Sequence, residues 1–109
     1  MKNPSLSYEY EQLYMTILSM ATSYESLKGR FLIALENRLS RVFTDGSNED
    51  VPADITERIR CIDAKVTENG SYAESVNLMD LQDVEMIIQE VISLFGRVSE
   101  EHLKRAQRG

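Results

Sequence analysis

The last third of the chain carries an apolar stripe at helical spacing that ends near the only histidine. Steps of three and four residues keep side chains on one face of an α-helix. The stripe consists of Leu81, Val84, Ile88, Val91, Ile92, Phe95 and Val98, followed by His102. It predicts a helix from about Leu78 to Phe95 that continues to Arg105, with Asn77 as the N-cap. Because an apolar face must be buried, the stripe requires a packing partner along the helix.

Two earlier segments show the same periodicity. The segment from about Ser5 to Phe43 predicts either one long helix or two helices in line. Thr22 and Glu25 have capping-box spacing, which favours a break near residues 21–23. The apolar face of this segment comprises Leu13, Ile17, Met20, Tyr24, Leu27, Phe31, Leu35, Leu39 and Val42. The second segment begins near Pro52, ends at Asn69-Gly70 and has Ile55, Ile59, Ile62 and Val66 on one face.

These segments predict an all-α protein. The chain shows no clean period-two alternation of the kind that marks β-strands. Polar residues 44–50 predict a loop, and residues 71–76 predict a short connection. The expected fold is one domain over residues 1–109, an antiparallel bundle of three to four helices in which residues 5–43 form one long helix or two.

Apolar residues beyond the main stripe predict self-association. Met79, Met86, Ile87 and Leu94 lie off the stripe of the last helix, and together with Met15 and Ile33 they exceed what one small bundle buries. A two-fold homodimer would cover the excess. Tyr14 and Tyr24 suit the edges of the core, whereas Tyr8 and Tyr10 precede the best periodicity. Core packing is expected for these tyrosines, and the alternative is that exposed ones are interface anchors.

Charge is concentrated in the middle of the chain. The net charge is −6, and residues 45–90 alone hold twelve acidic and three basic side chains. Such a region repels phosphate, so a nucleic-acid partner is not expected. It forms either an ordinary solvated surface or the contact surface for a basic protein partner. The contact residues would then be Asp45, Glu49, Asp50 and Asp54.

Most catalytic templates fail because the chain has one His and one Cys. These cannot form the usual zinc ligand sets, so no metal and no cofactor is expected. Cys61 is predicted to be a mostly buried small apolar residue. A lone thiol, no apolar leader and no stretch of membrane-spanning length predict a cytoplasmic protein that is not embedded in a membrane.

One motif, Arg97-Val98-Ser99-Glu100-Glu101-His102, resembles the Arg–His signature of HEPN-type ribonuclease domains. The resemblance implies a small, often dimeric helical bundle in which Arg97 holds the scissile phosphate and His102 assists attack of the RNA 2′-hydroxyl. The family usually has a polar residue where this chain has Val98, and often a tyrosine where it has Lys104. On a regular helix, positions five apart differ by about 140°, so convergence needs a distortion, for which Gly96 is the candidate.

The residues themselves indicate a simpler role for this motif. His102 falls in register with Phe95 and Val98 as a half-buried end of the stripe, and Arg97 lies at a solvated edge. The sequence therefore predicts a small, acidic, non-enzymatic protein-interaction module of the adaptor, chaperone, immunity or antitoxin kind. The alternatives are an HEPN-like ribonuclease that uses Arg97 and His102, and a protein whose whole function is dimerisation.

Overall fold

The computed structural model describes residues 6–45 and 51–108, and all of the regular structure in these two ranges is helical. The elements are α1 (Ser7–Thr22), α2 (Leu27–Ala34), a π-helical segment (Leu35–Leu39), α3 (Ser40–Asp45), α4 (Ala53–Val66), α5 (Tyr72–Leu78) and α6 (Leu81–Arg108). Because α2, the π segment and α3 follow one another without a break, the described chain forms five helical rods. The all-α prediction is confirmed, but the described helices outnumber the three to four that were expected.

The N-terminal segment is broken into two rods, as the capping signal favoured. Ser26 is the N-cap of α2, and its hydroxyl oxygen accepts a hydrogen bond from the Gly29 N–H at 3.2 Å. The predicted cap was wrong, because the Thr22 hydroxyl donates to the Leu18 carbonyl inside α1. Residues 23–26 leave the helix, so Tyr24 is fully exposed where the apolar pattern predicted burial.

The π segment lies within the most deeply buried part of the second rod. The Ser40 N–H donates to the Leu35 carbonyl, five residues back along the chain. On a regular α-helix, the two four-residue steps from Phe31 through Leu35 to Leu39 would rotate the apolar face by about 80°. The wider π turn reduces that rotation, and all three side chains are buried.

The third predicted helix is confirmed, and a short helix follows it. α4 begins after Pro52 and buries Ile55, Ile59, Ile62 and Val66, as predicted. The structure then has α5 where a connection was expected. A capping box starts this helix: the Ser71 hydroxyl accepts from the Glu74 N–H, and the Glu74 carboxylate accepts from the Ser71 N–H. Gly70 has a φ of 109°, and a Cβ there would lie 2.7 Å from the same carboxylate.

The last helix is as long as predicted but begins and ends three residues later, and its buried face is rotated. Asp80 directly precedes α6 and its carboxylate accepts from the Asp83 N–H in the first turn, while the Asp83 carboxylate accepts from the Asp80 N–H, so Asn77 is not the N-cap. The buried face consists of Val84, Ile87, Val91, Leu94 and Val98. Leu81 and Ile92, both assigned to the predicted stripe, are 58% and 49% exposed. Ile87 and Leu94 take the central places because α6 packs between α1 on one side and α4 on the other.

Contacts between side chains give the helix directions. Tyr10 and Tyr14 of α1 lie against His102 and Phe95 of α6, in that order. Along α4, Asp54, Arg58 and Lys65 contact Arg97, Ser93 and Glu90. Both α1 and α4 therefore run antiparallel to α6. The buried side chains form one continuous cluster in which Phe31 and Leu94 are among the largest. Among the described helices, none combines the length and apolar content of a membrane span.

Candidate partner-binding groove

Arg97 is held by carboxylates from two helices. Its guanidinium binds Asp54 of α4 through two hydrogen bonds, Nε to Oδ2 at 2.9 Å and Nη2 to Oδ1 at 3.2 Å. Nη1 donates to Glu101 one turn further along α6, at 3.1 Å, and lies 3.6 Å from Glu100. The paired-fork geometry with Asp54 is the kind that Arg forms best. The side chain therefore ties α6 to the start of α4.

This network shifts the pKa values of its members. Hydrogen bonding from Arg97 lowers the pKa of Asp54 below its ordinary value. Hydrogen bonds from Arg97 and then from Arg105 lower the pKa of Glu101 in the same way. The hydrogen bonds to these carboxylates raise the pKa of Arg97. All three groups are therefore charged at neutral pH, and the guanidinium is already satisfied by carboxylate oxygens.

His102 has a different neighbour, Tyr10 of α1. The two rings are stacked with centroids 5.1 Å apart and planes at 22°. The opposite side of the Tyr10 ring faces Phe95, at 5.3 Å and 27°. Phe95 and His102 are two helical turns apart, so Tyr10 is inserted between them. Nδ1 of His102 is buried and has no hydrogen-bond partner among the described residues. The half-buried position expected for His102 is observed.

Arg97 and His102 thus lie on different flanks of α6. The helix is regular through Gly96, where no distortion brings the two side chains together. Arg97 contacts α4 and its own helix, whereas His102 contacts α1. The convergence that the ribonuclease hypothesis requires within one protomer is not observed.

The predicted acidic contact residues fall mostly outside the described side chains. Glu49 and Asp50 lie outside the described residues, and of Asp45 only the backbone, at the end of α3, is described. Asp54 is described and is bound to Arg97. Its role in binding a partner stays a prediction, and the ion pair weighs against it because the charge of Asp54 is already balanced.

An acidic groove lies on the same flank of α6, between the end of α4 and the start of α6. It has a volume of about 320 Å³ and is lined by Lys65, Glu68, Met79, Asp83, Met86, Ile87 and Glu90. We call this site the α4–α6 groove. Met86 is 55% exposed, Met79 is half-buried and Ile87 closes the bottom. Three carboxylates and one ammonium surround this apolar floor, and Lys65 is paired with Glu90 at 2.7 Å.

The sequence predicts Met79, Met86 and Ile87 only as apolar residues that lie off the main stripe of the last helix. The carboxylates Glu68, Asp83 and Glu90 belong to the acidic stretch of residues 45–90, but their grouping depends on the packing of α4 against α6. The signal that could have located the groove is that residues 79–90 contain both the apolar residues off the main stripe and an excess of acidic residues.

A second groove has the opposite charge. It lies between α1 and the rod formed by the π segment and α3, and Arg38 and Arg41 are the charged side chains that line it, beside Met15 and Leu18. This groove would not attract the basic partner expected from the sequence. The two grooves differ in charge, so one ligand class does not fit both.

Cys61 is exposed, contrary to the prediction that it is buried. The buried face of α4 is set by Ile59 and Ile62, and Cys61 is rotated by about 100° from Ile62. Its thiol donates a weak hydrogen bond to Glu57, 3.5 Å from Oε2, and Glu57 also pairs with Arg60. Hydrogen bonds from Arg60 and then from Cys61 lower the pKa of Glu57.

Two further observations bear on function. Within residues 6–45 and 51–108, no group of three or more His, Cys, Asp or Glu side chains is placed to hold a metal ion. Comparisons of the chain with protein-family models, with curated proteins and with solved structures give no match.

Proposed function

We propose that this protein is a non-enzymatic interaction module whose α4–α6 groove binds a basic, amphipathic helix of a partner protein. The observation that carries the proposal is the composition of the groove, in which Met79, Met86 and Ile87 form an apolar floor inside a rim of carboxylates. Concave apolar sites with a few charged groups at the edge are typical binding sites.

The floor suits a partner with apolar side chains. Methionine is flexible and polarisable, and it is common on surfaces that accept helical targets of varied sequence. The two methionines are accessible, so a partner's leucine or isoleucine would displace water from both. The groove extends along Asp83–Glu90, about 10 Å of helix at 1.5 Å per residue. Two to three turns of a partner helix would cover it.

The rim favours positive charge. Glu68, Asp83 and Glu90 face one cation, Lys65, which leaves an excess of two negative charges (three acidic minus one basic). Asp83 Oδ2 accepts a hydrogen bond from the Asp80 N–H, and in this proposal Oδ1 accepts one from a lysine or arginine side chain of the partner. Exposed charges contribute mainly to partner selection and association rate, so the apolar floor supplies most of the affinity in this proposal.

Binding of designed peptides tests the proposal. The probe is a fluorescent peptide with leucines at helical spacing and lysines flanking them. A second peptide has glutamates in place of the lysines, and a third has the same composition without the periodicity. We expect anisotropy to report binding of the first peptide alone, weakening as salt is added. Equal binding of the glutamate peptide would contradict the proposal.

Matched variants locate the binding site on the surface. Glu68→Gln and Met86→Ala should each lower the affinity for the basic peptide several-fold. Glu68→Gln removes a charge of the rim, and Met86→Ala removes part of the apolar floor. The controls are Glu85→Gln, which removes an exposed carboxylate of α6 outside the groove, and Ile33→Ala, which removes an exposed apolar side chain of the second rod. Binding that responds to the control variants and not to the groove variants would place the site elsewhere.

The ribonuclease alternative has its own test. Because Arg97 is bound to Asp54 and Glu101, we expect no cleavage when purified protein is incubated with RNA. Cleavage that disappears in His102→Ala, in a variant that is still folded, would replace the present proposal with an enzymatic one.

A further inference from the structure

The flank of α6 opposite to the groove carries a second exposed apolar surface. It consists of Leu81, Ile88, Ile92, Gly96 and Leu103, which we call the outer strip. Leu81, Ile92 and Leu103 are 58%, 49% and 58% exposed, and Ile88 is half-buried. Residues eleven apart are separated by about three turns and only about 20° of rotation. The strip therefore runs nearly straight along the helix, over about 33 Å from Leu81 to Leu103.

The outer strip is symmetric about Ile92. Leu81 and Leu103 each lie eleven residues from Ile92, and Ile88 and Gly96 each lie four residues from it. If α6 meets a second α6 in antiparallel orientation with Ile92 at the two-fold axis, Leu81 faces the partner's Leu103 and Ile88 faces the partner's Gly96. A Cβ built at Gly96 would have no atom within 4 Å, so this position offers an open depression for the facing isoleucine. Such reciprocal matching is the property of a two-fold interface.

The apolar spacing itself favours the antiparallel orientation. Antiparallel pairing sets each Ile88 against a glycine of the partner, whereas parallel pairing in the same register would set Ile88 against Ile88 and leave the two glycines facing each other. The charged side chains of α6 do not decide between the two, because Asp83 and Glu90 line the groove on the other flank and Arg97 and Arg105 are bound to Glu101.

α1 extends this surface. Tyr14 is exposed and its ring lies beside Phe95, with centroids 6.4 Å apart. Leu18, one turn further along α1, is also exposed. A second copy of α6 docked on the outer strip would contact both residues. The α1–α6 pairs of two protomers would then form a four-helix arrangement.

We infer that the chain forms a two-fold homodimer through the outer strip, with α6 antiparallel to α6 and Ile92 at the axis. The inference does not rest on the α4–α6 groove, which lies on the other flank of α6 and stays accessible in the dimer. Loss of peptide binding and loss of dimerisation are therefore separable outcomes.

The molecular mass in solution gives the first test. We expect light scattering to report twice the 12.5 kDa protomer mass for the wild-type chain and the protomer mass for Ile92→Glu. The matched control is Met86→Glu, at a similarly exposed position of α6 on the groove flank, and this variant should stay dimeric. Circular dichroism confirms that each variant is folded. A monomeric wild-type protein, or a dimer that survives Ile92→Glu, would overturn the inference.

Disulfide cross-linking tests the orientation, in a Cys61→Ser background. Ile92→Cys should cross-link with itself, because the two copies meet at the axis. Leu81→Cys alone should fail, since its two copies would be separated by about 33 Å along the paired helices and a disulfide needs Cα atoms within about 7 Å. An equimolar mixture of Leu81→Cys and Leu103→Cys should form the mixed cross-link. Self-cross-linking of Leu81→Cys would mean parallel pairing and would refute the proposed register.

Discussion

The two flanks of α6 bury the same helix by different means. Towards α1, the contact is made by rings, with Tyr10 inserted between Phe95 and His102. Towards α4, it is made by polar groups at the edge of the buried row, where Arg97 binds Asp54 and the Arg58 guanidinium donates to the Ser93 hydroxyl. The central row of buried aliphatic residues is shared by both flanks.

We expect the two flanks to contribute differently, one mainly to the free energy of unfolding and the other mainly to the orientation of a neighbouring helix. Stacked rings exclude water and add dispersion energy, so the α1 flank should contribute more to the free energy of unfolding. Surface ion pairs contribute little energy but require particular partners and directions. The α4 flank should therefore determine how α4 is oriented while leaving space beside it for a ligand.

The shared central row should give the largest loss. Leu94 is buried between the two flanks, so Leu94→Ala should lower the free energy of unfolding by about 3 kcal/mol. The control Met86→Ala, on the exposed floor of the groove, should change it by about 0.5 kcal/mol or less. Urea denaturation measures both. Similar losses in the two variants would mean that the buried face of α6 is assigned incorrectly.

The ring stack should give the next largest loss. Tyr10→Ala removes a half-buried ring and its two aromatic contacts, so we expect the free energy of unfolding to fall by about 2 kcal/mol. Tyr24, fully exposed in the loop between α1 and α2, is the control, and Tyr24→Ala should change the free energy of unfolding by about 0.5 kcal/mol or less. If Tyr10→Ala were equally mild, the α1 flank would not be the more stabilising one.

The substitution Gly96→Ala should raise the free energy of unfolding by an amount that depends on whether the chain is dimeric. In the monomeric Ile92→Glu background, Gly96→Ala should stabilise the helix by up to about 1 kcal/mol, because alanine is the better helix former and its Cβ meets open space. In the wild-type dimer the added methyl would meet the partner's Ile88, so dimer dissociation should become easier. Thermal unfolding and dilution experiments measure these two effects. A gain in the dimer as large as in the monomer would contradict the proposed contact.

Acid should remove the contribution of the Arg97 network, which is the smallest effect. Asp54 and Glu101 have folded-state pKa values below their ordinary values of 3.8 and 4.5. A carboxyl of this kind contributes stability above its unfolded pKa and loses it as the pH falls through its folded pKa. The stability difference between wild type and Arg97→Met should thus be full near neutral pH and shrink below about pH 4. A pH-independent difference would mean that packing of the arginine stem causes it.

The comparison also shows which parts of the fold were predictable. α4 has one neighbour-facing stripe, and all four of its predicted buried residues are buried. α6 is apolar on more than one side, so its sequence could not decide between Ile87 with Leu94 and Ile88 with Ile92. The packing of α1 and α4 against α6 determines that Ile87 and Leu94 are the buried pair. The short helix α5 was missed although the sequence contains a signal for it, because Ser71 and Glu74 have capping-box spacing.

The site was less predictable than the fold, because it depends on contacts between distant residues. The Asp54–Arg97 pair joins residues 43 apart in the chain, and neither residue carries a local signal for the other. Cys61 was predicted wrongly for a local reason. The neighbouring isoleucines indicated burial, but adjacent helix positions differ by about 100°, and this rotation places the thiol on the surface. The homodimer, the partner protein and the cytoplasmic location stay predictions.

The π segment has a consequence for how this chain can vary in length. Its i-to-i+5 bond holds one residue more than a regular α-helical turn, and Glu36 and Asn37 within it are exposed. Deleting either residue should let the turn close into ordinary α-helix while α3 keeps its present direction. The second rod can therefore absorb the deletion of one residue, and any alignment of this protein with a related chain should allow a gap at that place.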